Sequence, residues 1–181
     1  MRIISGSFKG RRINAPTNLP VRPTTDFAKE ALFNVLNNHY YFDEISVLDL
    51  CFGIGGISLE FASRGTKKIV SVDKDPGCVK FLVDTVKKME LEDTVRVVRD
   101  DVFQFLKKSF DSFDLIYFDP PYDFEASQYL DVVTLVKENN WLKSGGELVV
   151  EHPVNIDFSE HPNLIQTRKY GKVHFSFFDF D

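Results

Sequence analysis

A chain of 181 residues with 43% hydrophobic and 27% charged side chains has the composition of one globular domain with a buried core. No apolar stretch approaches the roughly 20 residues of a membrane helix, and Cys51 and Cys78 are too few for a disulfide framework. The net charge of −5 weighs against a nucleic-acid partner, yet Arg2, Lys9, Arg11, Arg12, Arg22 and Lys29 precede residue 30 with Asp26 alone against them.

That asymmetry points toward nucleic acid, beside the plainer reading of a solvated basic face. The start Met1-Arg2-Ile3-Ile4-Ser5-Gly6 has no signal-type apolar run, so a cytoplasmic protein is expected. His39, His152, His161 and His174 are scattered without metal-ligand spacing, and no metal is expected.

In chain order, Arg2–Ser5 and Arg11–Asn14 read as a small hairpin, and residues 26–38 as a helix burying part of Phe27, Ala31, Phe33, Val35 and Leu36. Pro16, Pro20 and Pro23 mark an irregular connector between them. From Ile45 the rhythm is strand–helix: strands at Ile45–Leu50, Lys68–Asp73, Thr94–Arg99, Phe113–Asp119 and Gly146–Glu151, helices at Gly56–Arg64, 76–90, Val102–Lys108 and 126–140. Val79, Leu82, Val83 and Val86 supply one helical stripe, and Leu130, Val133, Leu135 and Val136 another. Continuous apolar strands alternating with helices predict an α/β fold, a mostly parallel sheet covered on both faces. Ile165–Tyr170 and Val173–Phe180 flank Gly171 and predict an antiparallel hairpin closing the sheet. The expected organisation is an N-terminal extension over residues 1–40 and a main domain over 41–181.

Two segments carry chemistry. The first strand runs into Asp49-Leu50-Cys51-Phe52-Gly53-Ile54-Gly55-Gly56, a glycine-rich turn where open sheets bind nucleotides, and Asp73 ends the second strand. An acid there accepts ribose hydroxyls, a need shared by NAD and S-adenosylmethionine (SAM). Three features favour SAM: Ser58 stands where a dinucleotide site has its third glycine, Asp49 suits a cationic methionyl group, and Asp101 after the third strand suits an adenine amine. Read blandly, the glycines make a tight turn and the acids cap helices. The second segment is Asp119-Pro120-Pro121-Tyr122. Two prolines fix φ and remove two donors, giving a rigid turn with a carboxylate, carbonyls and a ring. That set suits a planar base bearing an exocyclic amine, although Asp-Pro and Pro-Pro also occur in ordinary turns.

Arg22-Pro23-Thr24-Thr25-Asp26 with Lys29-Glu30-Ala31-Leu32-Phe33-Asn34 resembles the N-terminal signature of bacterial 16S rRNA guanine-N2 methyltransferases. So do the opening hexapeptide, Lys9-Gly10-Arg11-Arg12, Ala62-Ser63-Arg64-Gly65, the Asp119–Tyr122 turn, Glu151-His152 and Arg168-Lys169-Tyr170-Gly171. The likeness spans nearly the whole chain. Departures are Cys51, Phe52 and Ile54 in the glycine loop and Lys29 in place of a usual Arg. The resemblance implies a Rossmann-like, class I SAM-dependent methyltransferase, a monomer acting on one guanine of 16S rRNA in an assembling small subunit. It implies catalytic roles for Asp119, Pro120, Pro121 and Tyr122, cofactor contacts from Asp49, Gly53, Gly55, Asp73, Asp101 and Val102, and RNA contacts from Arg2, Lys9, Arg11, Arg12, Arg22 and Thr24. Rival readings are the same chemistry on adenine N6 or a protein glutamine, an NAD(P) oxidoreductase, and a non-catalytic RNA-binding assembly factor.

Overall fold

The computed structural model describes residues 1–21, 24–108 and 111–181. Its elements run α1 (Asp26–Leu36), β1 (Ser46–Leu50), α2 (Gly56–Ser63), β2 (Lys68–Asp73), α3 (Pro76–Lys88), β3 (Val95–Arg99), α4 (Val102–Leu106), β4 (Phe113–Phe118), α5 (Ala126–Glu138), β5 (Leu142–Pro153), β6 (Leu164–Tyr170) and β7 (Val173–Phe178). The sheet order is β3-β2-β1-β4-β5-β7-β6. The first five strands are parallel, while β7 inserts antiparallel between β5 and β6. The order reverses between β1 and β4, and a doubly wound sheet opens a crevice at such a point, beyond the carboxyl ends of its strands.

Alternation along the strands divides the core. Val47, Leu115, Tyr117 and Val149 point to one face, where α1, α2 and α3 bring Leu32, Phe33, Leu59, Phe61, Leu82 and Val86. Leu48, Ile116, Leu148 and Val150 point to the other, against α4 and α5 with Leu106, Tyr129, Val132, Val133 and Val136. Ile3, Ile13, Ala28 and Leu36 belong to the first cluster, so residues 1–40 share their core with the sheet.

Several expectations need correction. The N-terminal hairpin pairs its backbone without forming regular strands: one antiparallel bridge joins Arg2 with Arg12, the Ile3 N–H donates to the Arg11 carbonyl, and the Ile13 N–H donates to the Met1 carbonyl. Side chains also tie the segment to α2: Glu60 accepts the N–H groups of Ile4 (2.9 Å) and Ser5 (3.0 Å), and Ser63 donates to the Ser5 carbonyl. Phe27 and Leu130 are exposed, at 68% and 41%, because Ala28 with Leu32 and Val132 with Val133 form the buried stripes. On α3 the stripe is Cys78, Leu82, Thr85 and Val86, one step away from Val79 and Val83. α1 and α3 end at Leu36 and Lys88, short of residues 38 and 90; Glu90, at φ 56, turns the chain out of helical geometry. β5 begins four residues early, at Leu142, because a register shift opposite Phe113 and Leu115 accommodates Gly145 at φ 73.

Candidate active site

The crevice at the order reversal is a cavity of about 670 Å³ that joins the glycine loop, the Asp119–Tyr122 turn and the connector before α1. Leaving β1, the chain takes left-handed geometry at Cys51 (φ 62), Gly53 (φ 59) and Gly55 (φ 77). Glycine suits the left-handed φ at Gly55, where a Cβ would also lie 2.4 Å from a Leu82 methyl and force that side chain to shift. Cys51 adopts that geometry with a side chain, at a cost of order 1–3 kcal/mol. Its N–H holds the turn by donating to the Val72 carbonyl at 2.8 Å. Asp73 fixes the far side of the loop: its carboxylate accepts the Gly53 N–H and the Asp75 N–H, each at 2.9 Å.

Asp49 is 1% exposed. Its Oδ2 accepts the Ser58 N–H (3.1 Å) and hydroxyl (2.5 Å), while Oδ1 is buried and has no hydrogen-bond partner among the described residues. Burial pushes this carboxyl up to about 7, against the pull of the Ser58 hydrogen bonds. Burial likewise raises Asp73 above the usual carboxylate range, its two backbone donors opposing.

Asp101 is the N-cap of α4, accepting the N–H groups of Phe103 (3.0 Å) and Gln104 (3.2 Å). It also lines the cavity, with Val102 beside it. The capping reading and the cavity reading therefore describe one residue.

Across the cavity, the Pro120-Pro121 turn closes with the Phe124 N–H on the Pro121 carbonyl at 3.1 Å. Phe124 anchors it, stacked on Phe103 with centroids 5.9 Å apart and set edge-on to Phe118 and Tyr129. Tyr122 lines the cavity and is 61% exposed. Asp119 lies next to Glu151, because β4 and β5 pair through Phe118 and Val150. The Thr24 hydroxyl reaches both, 3.5 Å from Asp119 and 3.3 Å from Glu151, and the Tyr117 hydroxyl donates to Glu151. Burial, then the charges of Glu151 and Asp49, hold Asp119 well above the usual carboxylate range. Burial also raises Glu151, with Tyr117 and Thr24 pulling the other way.

The sequence reading gave no role to Glu151 or Tyr117. A signal for Glu151 was present: two apolar strands, each ending in an acid, that strand order makes neighbours. Thr24, grouped in sequence with the RNA-binding residues, stands at the carboxylates. Lys9, Arg11 and Arg12 are exposed, and Arg2 lies 3.4 Å from Asp26. Arg22 lies outside the described residues. Met1, Pro20 and Val21 line the cavity, which brings the basic arm to its rim.

These residues fit SAM. The unpartnered Asp49 oxygen calls for a donor, and a cationic one best offsets its burial. The left-handed loop lets a ligand approach the backbone closely.

The family model described as Conserved hypothetical protein 95 matches residues 1–179. Ribosomal RNA small subunit methyltransferase D of Buchnera aphidicola subsp. Baizongia pistaciae is 30% identical over 98% of this chain and 91% of its own. Bacillus subtilis YlbH, provisionally named an rRNA methyltransferase, is 37% identical over 94% of each. The solved structure of Escherichia coli yhhF, provisionally titled a methyltransferase, superposes with a TM-score of 0.82 at 26% identity, covering 98% of this chain and 96% of that one. The chain belongs to the Conserved hypothetical protein 95 family, and it is a SAM-dependent methyltransferase of the class I fold.

Proposed function

We propose that the enzyme methylates the exocyclic N2 of one guanine in 16S rRNA, acting as a monomer on an assembling small ribosomal subunit. The observation that carries the reading is one cavity holding both the unpartnered Asp49 oxygen and the Asp119–Tyr122 turn. The names of the relatives supply the RNA class.

SAM, when bound, supplies a methyl group already activated on a sulfonium sulfur. Asp49 would face its cationic methionyl end, Asp73 would accept ribose hydroxyls, and Asp101 would accept the adenine amine with Val102 beside the ring. Gly53 and Gly55 give the approach. Asp119 and the Pro120 carbonyl accept the hydrogens of the guanine amine and aim its lone pair at the methyl, which is catalysis by proximity and orientation. Pro121 stiffens the turn. Tyr122 stacks on the extruded base, worth about 1–3 kcal/mol. Lys9, Arg11 and Arg12, with Arg2 and Arg22, hold phosphates and add affinity without reading sequence.

The test is transfer of labelled methyl from SAM to ribosomal RNA, followed by digestion to nucleosides. Label in N2-methylguanosine of the small-subunit RNA is expected. Label in N6-methyladenosine, or in protein alone, would overturn the reading.

A further inference from the structure

Around the Thr24 hydroxyl the hydrogen-bond inventory does not balance if both neighbouring acids are ionised. Oγ1 carries one hydrogen, yet it lies 3.5 Å from Asp119 Oδ2 and 3.3 Å from Glu151 Oε2. Whichever carboxylate receives that hydrogen, the other faces the hydroxyl's lone pairs. Glu151 Oε2 already has the Tyr117 hydroxyl as a donor, which marks it as the anionic end. A proton on Asp119 Oδ2 then makes each contact a donor–acceptor pair: Asp119 to Thr24, and Thr24 to Glu151. Asp49, the third acid, lines the same cavity and keeps a buried oxygen with no hydrogen-bond partner among the described residues, so this wall is not closed on itself.

We propose that Asp119, Thr24 and Glu151 form a proton relay, with Glu151 as the base that finally takes the proton released by the methylated amine. The inference rests on the reading of the site as an amine methylase. As the nitrogen–methyl bond forms, the carbon–sulfur bond breaks and its pair stays on sulfur. The nitrogen keeps the electron pair of one N–H bond, and that proton passes to Asp119 Oδ1. Asp119 Oδ2 gives its proton to Thr24 Oγ1, which gives its own to Glu151 Oε2. Atoms and charge balance without a further reactant. In the resting state a neutral Asp119 offers Oδ1 as an acceptor to the amine, as an amide carbonyl would.

Among the described residues, the charged and titratable groups around the pair include Asp49 on β1, Cys51 after it, Tyr117 on β4, Tyr129 on α5, Tyr122 in the turn, His152 on β5 and Lys172 between β6 and β7. Burial raises both acids; the charges of Glu151 and Asp49 raise Asp119 further, whereas at Glu151 the Tyr117 and Thr24 hydroxyls oppose the rise.

The experiment has two arms. The first follows carboxyl carbon-13 resonances of the free protein against pH, with neither SAM nor RNA. Asp119 is expected to titrate above the usual carboxylate range, and in Glu151→Gln to titrate lower by about one unit or more, because a like charge has been removed. The second measures single-turnover methyl transfer against pH. Glu151→Gln and Thr24→Val are each expected to lose tenfold or more of the rate at neutral pH, and Glu151→Gln to lose the acidic limb set by Glu151. Thr24→Ser, which keeps the hydroxyl, should restore the rate. An unshifted Asp119 titration in Glu151→Gln would overturn the shared proton. A Thr24→Val or Glu151→Gln rate within twofold of the parent would overturn the relay. Failure of every RNA to accept methyl would instead defeat the functional reading, and the titration would still decide whether the acids hold one proton.

Discussion

The acidic cavity and the basic N-terminal arm meet at one rim, but the fold controls their charges differently. Asp49, Asp73, Asp119 and Glu151 sit at or near the ends of parallel strands, and neighbouring hydroxyls or amides hold each carboxylate. In the arm the backbone is anchored, and the outer charges are exposed. Lys29, 2% exposed, donates to the Arg2 carbonyl at 2.6 Å and lies 3.4 Å from Glu60, while Lys9, Arg11 and Arg12 extend into solvent. The contrast separates two tasks. Methyl transfer needs an amine aimed to within a fraction of an ångström. A phosphate contact needs a nearby cation and tolerates wide variation in where it sits.

The comparison breaks most visibly at the anchor. Glu60→Ala leaves Lys29 buried without its carboxylate, removes the 2.9 Å partner of Arg64 and frees two backbone amides. Breaking a buried pair on one side costs about 3–5 kcal/mol, so thermal unfolding should drop by roughly 6–20 °C in a domain of this size. A drop under about 3 °C would mean that the arm is held by its apolar residues Ile3 and Ile13.

At the cavity the larger effect should fall on rate rather than stability. Asp119→Ala is expected to reduce methyl transfer by about 10²–10⁴-fold, with SAM affinity within about threefold of the parent, because orientation of the amine matters in the transition state. Calorimetry and single-turnover rates on one preparation separate these quantities. An equal fall in both would make Asp119 a cofactor residue.

Asp49 links cavity charge to pH. Its folded carboxyl titrates at about 7, against about 3.9 in an unfolded chain. Between those values the folded protein keeps a proton that the unfolded chain has lost, so stability from this group is greatest at low pH and falls as pH rises through the window. A cation bound at Oδ1 favours the ionised form. SAM binding should therefore release a proton and tighten about tenfold between pH 6 and pH 8. Calorimetry in two buffers of different protonation enthalpy reads the proton release. Affinity independent of pH would remove Asp49 from the cationic end of the ligand.

The glycine loop, the strand-end acids and the Asp119–Tyr122 turn were legible because each is local: a run of adjacent residues whose backbone demands are written in glycine and proline. Glu151 was not, since its partnership with Asp119 depends on β4 and β5 being neighbours, 32 residues apart in sequence. The contacts of Thr24 were hidden for the same reason, as its carboxylate partners come from the far half of the chain. Burial by one turn of helix was also hard to read. On α3 Leu82 and Val86 are buried as expected, but Val79 and Val83 are half-buried while Cys78 and Thr85 take the inner positions, a choice made by tertiary packing.

The smallest expected effect sharpens the comparison from the arm's side. Arg11 lies over the Phe8 ring at 5.8 Å, and the Arg2–Arg12 bridge fixes the backbone beside it, so both exposed guanidiniums leave the same short segment. If they hold RNA phosphates, each neutralised phosphate releases counterions, and binding must weaken as salt rises. Replacing Arg11 and Arg12 together by Ala should weaken RNA binding and flatten the logarithmic salt slope by about one to two units. The fold and SAM affinity should be unchanged, because the bridge is made by backbone groups and the anchoring carboxylate of Glu60 is untouched. A salt titration of RNA binding, run beside SAM calorimetry, reads both sides of the rim at once. Parent-like RNA affinity at every salt concentration would make the basic arm a solvated face and move the phosphate contacts elsewhere on the surface.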